Sequence, residues 1–117
     1  MALLRRLSLI AGTIGYIIIV ILSVVPAADR PHTGAGGGSE HFAANLLVAA
    51  ALSFGLATNR LRIAALFFLC ASAGVLEILQ RYIPGRNSEL WGFFTSSMGA
   101  ALGLLIGAIV LRLITSE

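Results

Sequence analysis

The chain has 117 residues, of which 58% are hydrophobic and 11% charged. A soluble globule of this size could not cover its own surface with so few polar side chains, so the composition predicts a membrane protein. The formal charge of +3 comes entirely from arginines, since the chain contains no lysine. They are scattered between apolar blocks rather than gathered with aromatics on one face, which argues against nucleic acid as a partner. The single cysteine, Cys70, sits within an apolar run and reads as a small packed hydrophobe.

About 20 apolar residues are needed to cross a hydrocarbon core of roughly 30 Å. Four segments approach that length: residues 7–25, 41–58, 62–81 and 90–112. The expected fold is therefore all-α, a compact single-domain bundle of four transmembrane helices. Arg5, Arg6 and the "VPAA" at residues 25–28 also suggest a cleavable signal, but the intervening apolar stretch exceeds the 7–15 residues of such a segment. The "GAGGGS" run of residues 34–39 lacks the Lys and Ser/Thr of a phosphate loop and reads as a flexible linker. "TNRLR" at residues 58–62 and "RYIPGRNSE" at 81–89 read as the other two connections, with Tyr82 and Trp91 at interfacial levels.

Arginine favours the cytoplasmic side of short loops. An N-in, C-in arrangement places Arg5, Arg6, Arg60, Arg62 and Arg112 inside and Arg30, Arg81 and Arg86 outside. The reverse topology inverts that bias.

With this topology the polar residues acquire a common depth. Asn45 lies one turn below His41, Glu77 one turn below Arg81 with Gln80 on the same face, and Ser96 about 9 Å inside the fourth span. Arg86 and Glu89 lie above them in the connection between spans three and four. A charged side chain at the bilayer centre costs about 2.5–3.5 kcal/mol even on lenient scales, so Glu77 is expected to face inward, toward Arg86, His41, Asn45 or Ser96. This spacing does not choose among those partners. Interhelical hydrogen bonding alone could explain such a cluster, but a costly ionisable group favours a ligand or reaction site. No familiar metal spacing is present, and no cofactor is implied. Gly99, Gly103 and Gly107 recur every four residues in span four and read as a helix-packing face.

Taken together, "SVVP" at residues 23–26, "EHFAAN" at 40–45, "EILQRYIPGR" at 77–86 and "SSMGAALG" at 96–103 resemble the VanZ-like family of small bacterial membrane proteins. The likeness runs from about Ser23 to Gly107, with motif order and spacing kept. It implies a multi-pass protein of the bacterial cytoplasmic membrane and singles out His41, Glu77, Gln80, Arg86 and Gly99 as signature positions. Two positions depart from the pattern: Gly92 stands where the family commonly has Asp, and Ser96 where it has Asn. The family takes its name from a protein associated with glycopeptide resistance, which supplies a signature rather than a reaction, so no enzymatic activity is assigned.

Two functions are consistent with these features. One is an extracytoplasmic-side polar pocket that binds or modifies a lipid or lipid-linked cell-envelope precursor. The other is a small accessory subunit packed against a larger membrane protein complex through the Gly99, Gly103 and Gly107 face.

Overall fold

The computed structural model describes residues 1–26, 28, 34, 36–85 and 90–116. It is all-helical, with α1 (Ala2–Val24), α2 (Gly37–Gly55), α3 (Asn59–Gln80) and α4 (Leu90–Thr115). The bundle is elongated, 50 × 21 × 20 Å. Three helices, α1, α3 and α4, are long and apolar enough to cross a membrane. α2 has 19 residues, and its opening turns carry Gly37, Gly38, Ser39, Glu40 and His41, which dilute its hydropathy.

Three of the helices, α1, α2 and α3, start earlier than the apolar stretches do, while α4 starts where expected, at Leu90. α1 includes Arg5 and Arg6, because a charged first turn is compatible with helix even where it ends the hydrophobic run. Gly37, Gly38 and Ser39, expected in a linker, form the first turn of α2 behind Gly36, whose φ of 92° is open to glycine without strain. Asn59, Arg60, Leu61 and Arg62, expected in a connection, open α3. The Thr58 side chain accepts a hydrogen bond from the Leu61 N–H, a cap at the N-terminus of the helix. Only Leu56, Ala57 and Thr58 separate α2 from α3.

The interior is unusually small and polar. Ala49, Leu69, Ala100 and Leu104 form its apolar centre, surrounded by buried Ser23, Asn45, Ser53, Glu77, Gln80, Thr95 and Ser96. Bulky residues such as Ile10, Ile14, Phe67, Phe68, Leu105 and Ile109 lie on the outside instead. That partition suits a hydrocarbon surround, where large apolar side chains lose nothing by exposure and close helix approach favours small residues.

α2 and α4 run parallel in close contact. A Cβ at Gly99, Gly103 or Gly107 would overlap the carbonyl oxygen of Phe42, Leu46 or Ala50, respectively. Both helices thus advance by four residues per contact, so the glycines on α4 admit the α2 backbone itself. The fully buried Ser53 donates to Leu104 O at 2.6 Å within the same seam. The glycine face is consequently occupied within the chain, not left open for a partner protein.

At the end of α2 the free carbonyls are met by side chains from the neighbouring helices. Arg62 Nε donates to Ser53 O and Ser53 Oγ at 3.0 and 3.1 Å, and Nη2 to Leu56 O at 2.7 Å. Arg5 Nη2 donates to Gly55 O at 3.2 Å and Ser8 Oγ to Ala51 O at 2.6 Å. Cationic donors at a helix C-terminus satisfy orphan carbonyls and complement the helix dipole together.

Candidate functional site

At the opposite end, all four helices contribute to one polar cavity of about 20 Å³. Its polar lining consists of Tyr16 and Ser23 from α1, His41 and Asn45 from α2, Ser72, Glu77 and Gln80 from α3, and Ser96 from α4. A water molecule needs about 10–15 Å³ of such volume and two to four polar partners, so the cavity is sized for a single water or the tip of a larger ligand.

Glu77 is 9% exposed, and its carboxyl group lies directly against the Cα of Gly92. Any side chain at position 92 would overlap Oε1. Glycine in the first turn of α4 is therefore the space in which the Glu77 carboxyl group sits. Nearby, Thr95 Oγ1 donates to Trp91 O and Gly92 O at 3.0 and 3.1 Å, holding that turn.

Gln80 is 3% exposed and donates from Nε2 to Ser23 O at 3.2 Å. A solvated place at the interface would have been equally compatible with its position in the sequence. The structure instead uses it to tie the end of α3 to the end of α1. Asn45 is buried, and its Nδ2 donates to His41 O at 2.9 Å one turn back, so part of its capacity goes to its own helix. His41 is half-buried on the rim of the cavity, while Ser96 is buried in its wall. The five residues drawn from helices thus converge, whereas Arg86 and Glu89 fall outside the described residues. So does His32.

Tyr16, Ser23 and Ser72 join the lining although the sequence gives no functional weight to them as polar groups. Tyr16 Oη and Ser72 Oγ are 2.6 Å apart, a hydrogen bond between α1 and α3. Ser23 Oγ donates to Ile19 O at 2.6 Å, leaving its own carbonyl for Gln80. The available signal was periodic: Tyr16, Ile19 and Ser23 follow one another at helical spacing in an otherwise apolar run.

Beyond Glu77 the chain turns sharply. The Arg81, Tyr82 and Ile83 N–H groups donate to Ile78, Leu79 and Gln80 O, tightening the helix end into three-residue turns. Gly85, after Pro84, has a φ of 74°, a left-handed conformation open to glycine without strain. Arg81 and Tyr82 are exposed there.

A separate depression of about 410 Å³ lies between the starts of α2 and α4, lined by Gly38, Ser39, Phe42, Trp91, Thr95 and Met98 among others. It shares no lining residue with the small cavity. Among the described residues, no group of three His, Cys, Asp or Glu side chains could hold a metal ion.

Chemically, the cavity offers one carboxyl group, one imidazole and several neutral hydrogen-bonding groups within a largely apolar body. Such a set can bind a polar group or exchange a proton with it. No family model, no curated protein and no solved structure matches the chain.

Proposed function

We propose that the chain is a VanZ-like, four-span protein of the bacterial cytoplasmic membrane, N-in and C-in, whose polar cavity faces the extracytoplasmic side. There it binds the polar portion of a lipid or lipid-linked envelope precursor. The observation that carries this reading is the placement of Glu77, a buried carboxyl group given dedicated room by Gly92 within a cavity to which every helix contributes. An ionisable group is costlier than helix packing requires, since neutral hydrogen bonds between membrane helices already supply about 0.6 kcal/mol each.

The cavity admits only a water-sized group, so only the tip of the ligand's polar portion would enter it. The alternative, an accessory subunit using the α4 glycines, loses its proposed surface because those glycines are buried against α2.

The test is purification in mild detergent followed by mass spectrometry of bound lipid, for the native protein and for Glu77→Gln. A specific lipid retained by the native chain and lost from a normally folded Glu77→Gln supports the pocket. Equal retention by both removes Glu77 from ligand binding.

A further inference from the structure

The end of the bundle remote from the cavity concentrates positive charge, with no acidic side chain there among the described residues. Arg5 and Arg6 lie in the first turns of α1, Arg60 and Arg62 in the first turn of α3, and Arg112 in the last turn of α4. Arg5 and Arg112 are both close enough to Arg62 to repel it electrostatically. The acids among the described residues, Glu40 and Glu77, belong to the other end, in the first turn of α2 and near the last turn of α3.

These arginines divide into two sets. Arg5 and Arg62 are committed to the carbonyls at the end of α2. Arg6, Arg60 and Arg112 are exposed and make no side-chain hydrogen bond among the described residues. Around them the surface is apolar, with Leu3, Leu7, Leu61, Ile63 and Leu113 each about half exposed or more. Charged heads above an apolar skin match the boundary at which a phospholipid phosphate meets its acyl chains. A soluble anion would gain nothing from that skin, and a nucleic acid would not use it.

We propose that Arg6, Arg60 and Arg112 form a binding surface for the phosphate of anionic phospholipids. Headgroup phosphates accept charge-assisted hydrogen bonds from these exposed guanidiniums and relieve the repulsion that Arg5 and Arg62, fixed by α2, cannot escape. This surface rests on the membrane reading but not on the function of the cavity.

The experiment uses the full chain in phosphatidylcholine bilayers containing brominated phosphatidylglycerol, with tryptophan fluorescence quenching as the readout. Trp91→Phe with Leu113→Trp reports the arginine end, and native Trp91 reports the other end. The reporter at position 113 is expected to show a preference for the anionic lipid of about fivefold or more, on the scale of one arginine at an anionic surface. The preference falls to near one in the Arg6→Gln, Arg60→Gln, Arg112→Gln variant, while Glu77→Gln leaves it unchanged. Arg112→Gln alone is expected to lose part of it and serves if the triple variant does not fold. Equal quenching by both lipids, or a preference untouched by these substitutions, overturns the proposal. So does loss of the preference on adding excess inorganic phosphate, which would assign the arginines to a soluble anion.

Discussion

Gly92 is the residue whose meaning changed most between sequence and structure. By the VanZ-like resemblance alone, it stands where that family commonly has an aspartate. In the bundle it is room for another acid, because the Glu77 carboxyl group fills the volume that a side chain would need. An aspartate there would also set a second carboxylate beside the first, and like charges at such range oppose joint ionisation. Gly92→Ala should therefore displace the Glu77 carboxyl group and lower the thermal midpoint in detergent modestly, equivalent to about 1 kcal/mol, the low end for overpacking, because that group is the mobile end of a flexible side chain. Shortening the acid in the pair Glu77→Asp, Gly92→Ala should recover part of the loss. Absence of that recovery would mean the alanine acts elsewhere in α4. Glu77, Asn45 and Ser96 were legible from depth along their helices, since intramembrane polar residues are rare enough to stand out. Tyr16 and Ser72 were not, because aromatic and hydroxyl side chains are common in apolar helices and only their cross-helix pairing gives them a role.

Among the elements, α2 and α4 show how far spacing alone can be read. Three glycines at intervals of four predict a face of close approach, but not its occupant, because several helices could supply a backbone. The occupant is α2, at a register that sets Gly99, Gly103 and Gly107 on Phe42, Leu46 and Ala50. Gly103→Val is expected to separate the pair and cost about 1–3 kcal/mol or more in thermal stability. Gly74→Ala is the control, since its Cβ would meet Phe93 at an ordinary 3.5 Å. It should be neutral or stabilising by about 0.5–1 kcal/mol, as for glycine replaced within a helix. Similar losses at both positions would show that the α2–α4 seam has no special demand for glycine. Helix boundaries were less legible than helix existence. Hydropathy ends where charge begins, whereas the backbone continues through Arg5, Arg6, Arg60 and Arg62 because their side chains find carbonyls or open surface.

For the whole molecule, the exchange of small polar residues inside for bulky apolar residues outside is the property most plainly foreshadowed by composition. Orientation is a separate matter that rests on arginine placement, and it can be measured directly. In a Cys70→Ser background, a cysteine at Ser39 should react with an impermeant maleimide added outside intact cells, and a cysteine at Ala57 should not. Both positions are exposed, at opposite ends of α2. Labelling at Ala57 and protection at Ser39 would invert the proposed topology and move the cavity to the cytoplasmic side. The dependence of α2 on α4 bears also on biosynthesis. Under the four-span arrangement, α2 is the segment least suited to lipid, and the glycines that accept its backbone belong to α4, a helix made two elements later in the chain. The polar cavity thus cannot close on a nascent chain that ends before α4, because Ser96 completes its lining.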